Sequence, residues 1–365
     1  MHSLNVKRCW RLARRSIEAL HLDLTDLVVL TEAATGPYAL TASLAALAGA
    51  RRVYALSRES WYGTLEEAQA QTMEIAEAWG LGGRVKVISI RDHPGVSEAD
   101  IVTNLGFVRP LDATLLGRLK STAVVSLMFE TWELREEDVD LSVCRQLGIP
   151  VLGTNERVPE LGTMSYLGPV AMRLLFECGI ELVRCRLVVV GGGAFGLALT
   201  QSLSELAADV RQIDPFGGDR LDTPEMESVI AEADALIVAE HRNRSLLLGP
   251  KGHLDGRMLA TLNPGLAVIH IAGKVDQADL VAAGLLVAPQ YFARAGYMSV
   301  TTAYVGPQPL IDLHLGGLKV GELLARARGR GLAATDAEAE ALMHPICQAF
   351  ATTPDSPSYS RLRAD

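Results

Sequence analysis

Three glycines at fixed spacing carry the clearest chemical signal in the chain. Gly191, Gly193 and Gly196 follow the apolar run Leu187–Val190 and open a helical period. In a strand–turn–helix unit the first glycine permits the tight turn. The second lets the backbone approach a bound group, and the third lets helix and strand pack closely. The helix N-terminus then offers unpaired N–H groups and the positive end of a dipole to an anion. Asp214 ends the next apolar run. A carboxylate there accepts hydrogen bonds from ribose hydroxyls and repels a 2′-phosphate. The combination predicts a dinucleotide site, with NAD favoured over NADP. Its contacts are expected from Gly191, Gly193, Ala194, Phe195, Gly196, Asp214, Pro215 and His241. Arg211 and Arg220 stand nearby, but neither lies just past the strand end.

Other polar residues fall where apolar runs end, the place at which open α/β sheets bind ligands. His241 and Arg242 follow Leu236–Ala239. His270 closes the run from Leu266, and Lys274 comes after it. Asn104 and Arg109 lie in "TNLGFVRP", Glu130, Trp132 and Glu133 in "LMFETWE", and Asn155 and Glu156 in "GTNE". Hydride transfer needs orientation, exclusion of water and one acid–base group. His270 or His241 suits the proton step, since histidine titrates near neutrality. Arg109, Arg242 or Lys274 would hold an anionic substrate group. The catalytic candidates are thus His270, Lys274, His241, Tyr304 and Glu130, and the substrate-binding ones Arg109, Asn104, Trp132 and Arg242. Each has a structural alternative. His270 would be a hydrogen-bonded core residue and His241 a strand-end cap. Arg242 and Arg244 would be solvated, and Arg109 would fix its loop by pairing with Asp112. Glu130 and Glu133 would be surface charges, and His314 would pack on a helix. Near the start, Glu32 and Gly36 mark another strand-to-helix turn. With one glycine, and with Pro37 suited to the first helical position, it reads as architecture. A substrate contact by Glu32 and Tyr38 is the alternative.

The elements that must position these residues alternate almost throughout. Apolar strand runs at Leu27–Thr31, Arg52–Leu56, Val85–Ile90, Ile101–Asn104, Ala123–Met128 and Pro150–Leu152 are separated by helical periods at Pro37–Ala48, Leu65–Trp79, Asp112–Leu119 and Asp138–Leu147. A helix over Met164–Gly179 leads to strands at Leu187–Val190, Val210–Ile213, Leu236–Ala239, Leu266–Ile271 and Leu286–Ala288. Continuous apolar strands between helices imply parallel sheets buried on both faces. The fold class is therefore α/β, with two doubly wound, Rossmann-like domains. Residues 1–157 form a flavodoxin-like substrate or catalytic domain and 158–310 a Rossmann domain for NAD. Residues 311–365 form helices, starting at Pro307–Ala327, that pack back on the first domain, followed by a mobile polar tail. The first segment, "MHSLNVKRCWRLARRSIEAL", is basic; it reads as an amphipathic helix with Trp10, Leu12, Ile17 and Leu20 available for burial, an organelle-targeting helix being the alternative.

Composition narrows the function. The 365 residues exceed a single typical core. A net charge of −9 argues against nucleic acid or a membrane surface as partner. No apolar run reaches the roughly 20 residues needed to span a bilayer. Five scattered cysteines without a Cys-x-x-Cys suit a reducing cytoplasm and predict no metal site.

Residues 99–310 resemble the D-isomer-specific 2-hydroxyacid dehydrogenases. "ADIVTNLGFVRPLDATLLGRLKSTAVVSL", "DVDLSVCRQLGIPVLGTNERVPELG", "GGGAFG", "IDP" and "VDQADLVAAGL" follow that family's order. The resemblance implies an inter-domain cleft, a homodimer built on the cofactor domain, and a catalytic arginine, glutamate and histidine. This chain departs at all three. Where the family reads Asn-x-x-Arg-Gly, His270 takes the asparagine's place and Lys274 is the nearby cation; lysine lacks the planar fork that grips a carboxylate. Tyr304 stands at the histidine's turn, and no acid lies between Val287 and Thr302. The expectation is an NAD-dependent oxidoreductase acting on a small anionic carbonyl/hydroxy or imine/amine substrate with a non-standard catalytic set. Two alternatives remain. "WYGT" (61–64) loosely resembles S-adenosylhomocysteine hydrolase, which uses tightly bound NAD. The missing family residues would also fit a non-catalytic NAD-binding sensor or pathway subunit.

Overall fold

The computed structural model describes residues 4–207 and 209–350. The expected mobile tail lies outside the described residues. Residues up to Gly162, together with those from Pro307 onward, form one compact unit; Thr163–Gly306 form the other.

The first unit holds six parallel strands: β1 Val28–Glu32, β2 Arg52–Leu56, β3 Val85–Ile88, β4 Ile101–Thr103, β5 Val124–Ser126 and β6 Val151–Thr154. Their order is β3-β2-β1-β4-β5-β6, with Cys347–Gln348 added antiparallel beside β6. This corrects the flavodoxin-like expectation, in which the third strand would lie next to the first. β3 lies at the edge instead, and its partial exposure fits that place. Lys86 is exposed and Val87 half-buried, whereas every residue of β1 is buried. Side chains alternate across the sheet. Val29, Val53, Ile101 and Val124 pack into one apolar layer, and Val28, Leu30, Val102 and Val125 into the other.

The basic N-terminal segment is a helix, Val6–Ala19, capped by the Asn5 side chain. It buries Cys9, Leu12, Ala13 and Ser16; Trp10 and Ile17 are only half-buried. Ser16 Oγ bonds Asp312 at 2.5 Å, on the long helix Pro307–Gly329. The predicted helix at Asp138–Leu147 begins later, at Leu141, because Asp140 caps it.

The second unit holds β7 Arg186–Val190, β8 Asp209–Ile213, β9 Ala235–Ala239, β10 Ala267–Ala272 and β11 Leu286–Ala288, all parallel, in the order β11-β10-β9-β7-β8. The order reverses between β7 and β9. In the first unit it reverses between β1 and β4. Crevices for ligands form at such reversals, outside the carboxyl ends of the strands. Among the described residues, no helix is long and apolar enough to cross a membrane.

The long helix lies close against the first sheet because glycines face it. A Cβ added at Gly321 would stand 2.5 Å from Ile101 Cγ2. Ile101 is fully buried and stiff at χ1, so it has little room to yield. Gly321→Val is expected to destabilise the protein by about 1–3 kcal/mol through overpacking. Urea unfolding midpoints that match the wild type would contradict this.

Candidate functional site

In the second unit the glycine turn is built by close approach. Gly191 has φ +146°, and a Cβ there would stand 2.5 Å from the Ala239 carbonyl at the end of β9. A Cβ at Gly196 would overlap the Gly191 carbonyl. The helix Gly193–Ser204 starts from the turn with Gly192 as N-cap, so its first-turn N–H groups lack intrahelical partners. Phe195 and Gly196 are buried, and Ala194 and Pro215 are half-buried.

Asp214 is folded over this turn, and a Cβ at Gly192 would overlap its Oδ2. Its Oδ1 accepts from Phe216 N at 3.2 Å, Gly217 N at 3.0 Å and Arg242 Nη2 at 2.7 Å. Burial pushes this carboxyl up. The hydrogen bond and charge of Arg242, aided by the two N–H groups, outweigh it and hold Asp214 below the usual carboxylate range. Arg242 was expected near the substrate or in solvent. It is instead half of a bridge, with Nη2 also 3.1 Å from Glu240 Oε2. Glu240, which the sequence did not single out, is 1% exposed. Its carboxylate accepts from Arg242 N at 2.7 Å, Asn243 N at 3.1 Å and Gly192 N at 3.3 Å. The signal was an acid placed directly after a fully apolar strand. His241 stacks on Phe195, with ring centroids 4.3 Å apart.

The other candidates of this unit are engaged elsewhere. His270 is fully buried and stacked on Phe292 at 4.4 Å. Its Nε2 lies 3.1 Å from the Gly273 carbonyl and therefore carries the proton. Its Nδ1 accepts from Ser299 Oγ at 2.6 Å, while Ser299 Oγ accepts from Ala293 N at 2.7 Å. Burial lowers the pKa of His270 to about 4. With both nitrogens used, the expected proton-transfer role is corrected to a structural one. Tyr304 donates to Glu177, and the Arg173 guanidinium lies 3.9 Å from its ring centroid. Burial, then Glu177, raises its pKa, so the Arg173 cation beside its ring does not turn this catalytic candidate into a base near neutrality. Lys274 is exposed, in a short strand pair with Leu246–Leu248.

In the first unit the polar residues gather at the carboxyl edge of the sheet. Asn104 is fully buried; its Oδ1 accepts from Met128 N at 2.8 Å and its Nδ2 has no partner. Arg109 pairs with Asp138 at 2.9 Å, and Asp112 pairs with Arg91, which corrects the expected Arg109–Asp112 contact. Glu130 is 1% exposed, so it is no surface charge. It accepts from Trp132 Nε1 at 2.6 Å and Gln348 Nε2 at 3.2 Å, with Arg157 at 3.6 Å. Burial raises Glu133 to about 7 against the pull of Arg135. Burial and the Glu133 and Glu130 charges push Glu156 well up, and it shares a hydrogen bond with Glu133. Asn155 bonds the Pro345 carbonyl at 2.9 Å, a structural tie. His314 packs against Tyr38 and bonds Thr41 Oγ1 at 2.9 Å. Glu32 ends β1, 5% exposed, and accepts from Phe107 N at 3.2 Å. Burial raises it to about 7, opposed by that N–H, by Arg109 and by Gly106 N–H.

No protein-family model matches the chain, and no curated protein matches it. Solved structures do. A dipicolinate synthase chain from Bacillus halodurans superposes with a TM-score of 0.52 at 9% identity, over 84% of this chain and 99% of that one. Its counterpart from Bacillus subtilis, also a dipicolinate synthase chain, gives 0.52 at 12%, over 85% and 99%. An NAD-dependent formate dehydrogenase from Staphylococcus aureus, solved with NAD, gives 0.41 at 11%, over 77% and 96%. At these identities the likeness to the two dipicolinate synthase chains is one of fold: two Rossmann-like units in tandem.

Two outcomes follow from the buried groups. Removing the His270 ring leaves a cavity and strands Ser299, so His270→Ala is expected to cost roughly 2–4 kcal/mol in urea unfolding. A cost within error of zero would refute the structural role. Glu32 keeps its proton in the folded state up to about pH 7, whereas the ordinary carboxyl value is 4.5. Its contribution to stability is therefore full below about pH 4.5 and is lost as pH rises through 7. Subtracting the stability–pH curve of Glu32→Gln from that of the wild type should isolate this fall; a flat difference would contradict it.

Proposed function

We propose that the chain is an NAD-dependent oxidoreductase acting on a small anionic carbonyl/hydroxy or imine/amine substrate. The carrying observation is the glycine turn with the ionised Asp214 carboxylate folded over Gly192. The residues present fit a dinucleotide. The first-turn N–H groups at the helix start suit a pyrophosphate. Oδ2 of Asp214, on the Gly192 side, suits a ribose diol, while Oδ1 is filled by Arg242 and two backbone N–H groups. When bound, the nicotinamide supplies or accepts the hydride.

The rest falls to the chain's own residues. Arg242 keeps Asp214 ionised and neutralises part of the charge of Glu240, which would otherwise face the pyrophosphate across the turn. The His241 ring, stacked on Phe195, lies beside Gly193 and covers that side of the turn. Of the three side chains expected to move a proton in this unit, His241 is the one beside the glycine turn, with His270 and Tyr304 tied up elsewhere.

A second reading is a non-catalytic role within a larger complex. It is favoured by the engagement of His270 and Tyr304 and by the fold shared with the two synthase chains, one of them named as a subunit.

Calorimetric titration of the full chain with NADH and then NADPH tests the first reading. NADH is expected to bind at least tenfold more tightly than NADPH, and Asp214→Ala to weaken NADH at least tenfold. Absence of binding by either nucleotide would overturn it. NADH binding without turnover of any 2-oxo acid or imine would favour the non-catalytic reading.

A further inference from the structure

The first unit has its own order reversal, between β1 and β4, and two polar residues end those strands. The register pairs Leu30 with Val102, and Thr31 Oγ1 bonds Thr103 Oγ1 at 2.9 Å. Extending that register sets Glu32 opposite Asn104. Alternation places both on the face of Leu30 and Val102. Each is more than nine-tenths buried. Glu32 Oε2 takes the Phe107 N–H, and Asn104 Oδ1 takes the Met128 N–H, which leaves Asn104 Nδ2 as a buried donor with no acceptor. A buried donor left without an acceptor is destabilising. An unmet donor across the register from a buried carboxyl, at the order reversal of a doubly wound sheet, is the pattern of a ligand site.

The charges say what kind of ligand. Arg109, on the turn after β4, is the cation that acts on Glu32, and its Nη2 approaches the same Gly106 that Glu32 Oε2 approaches. Glu32 can offer a negative charge to a donor. Asn104 Nδ2 and Arg109 can only donate. The complement is a molecule with an ammonium group next to a carboxylate.

We propose that Glu32, Asn104 and Arg109 form a binding site for a small 2-amino acid, the ammonium on Glu32 and the carboxylate on Asn104 Nδ2 and Arg109. The site lies wholly within the first unit and does not depend on nucleotide binding by the second.

A cationic ligand needs Glu32 ionised, so affinity should rise with pH through the neutral range, where burial holds this carboxyl. The titratable and charged groups facing it are Arg109 on the turn and, through Arg109, Asp138.

The test uses the whole 365-residue chain with L-alanine, D-alanine and D-lactate as probes, followed by ligand-observed NMR titration from pH 6 to 8. One alanine enantiomer should saturate, with lactate at least tenfold weaker because it carries a hydroxyl in place of the ammonium. Affinity for alanine should rise about tenfold per pH unit below the Glu32 midpoint and level off above it. Glu32→Gln, close to isosteric, should abolish that pH dependence and weaken alanine at least tenfold. Asn104→Asp keeps the shape and the Met128 contact while removing the amide donor, and should weaken it likewise. NADH titrated in parallel should bind these variants as it binds the wild type. Lactate binding as tightly as alanine would overturn the ligand class. No saturable binding of any probe, or variants that bind alanine like the wild type, would overturn the site. NADH failing to bind while alanine behaves as expected would sink the nucleotide reading alone.

Discussion

A parallel strand buried on both faces can carry charged side chains at low cost only at its ends. That constraint arranges both units. β1, β4, β5, β9 and β10 are buried along their whole length. The charged and amide groups therefore appear where these strands stop: Glu32, Asn104 and, past β9, Glu240. Desolvating a charge there is costly unless it is paired or protonated. The two units meet that cost in opposite ways.

In the second unit the solution is a cation. One guanidinium bridges Asp214 and Glu240, and backbone N–H groups bond Oδ1 of the first and Oε1 of the second. Asp214 is held below the usual carboxylate range, and the fork geometry of arginine suits a double acceptor better than lysine would. In the first unit the solution is a proton. Glu32, Glu133 and Glu156 are all raised by burial, and the arginines beside Glu32 and Glu133 lower the shift without cancelling it. An acid held this way is responsive near neutrality; one held by Arg242 is not.

The sequence made the glycine turn legible because its cause is local. The tight turn, the close approach to β9 and the helix start all follow from residues within one strand–turn–helix unit. The two sheets were legible from alternating apolar runs, but the strand order of the first was not, since an edge strand and a central one differ only in partners. What escaped was set by distant contacts. His270 read as a strand-end histidine, and its fate depended on Ser299 and Phe292, which follow on a separate loop. Tyr304 depended on Glu177, 127 residues earlier. Arg242 read as a substrate or surface residue, because its partner Asp214 lies 28 residues away, just past the end of another strand. Glu240 was hidden by its neighbours, whose side chains invited chemistry more openly.

These contacts also bear on the departure from the resembled family at Lys274. A residue that holds a substrate carboxylate should be drawn toward the crevice and partly desolvated. Lys274 is exposed on a two-stranded ribbon beside Leu246–Leu248. Arg242, a fork in the second unit, is already committed to two carboxylates. Neither cation is therefore placed to replace the missing arginine without giving up what it now does. The first unit holds a guanidinium at a strand-end turn, on Arg109, whose Asp138 partner takes one nitrogen while another lies toward Gly106 and Glu32. In the amino-acid site proposed for the first unit, that guanidinium is the group that would hold the carboxylate, beside a carboxyl and an amide that complete the donor and acceptor set.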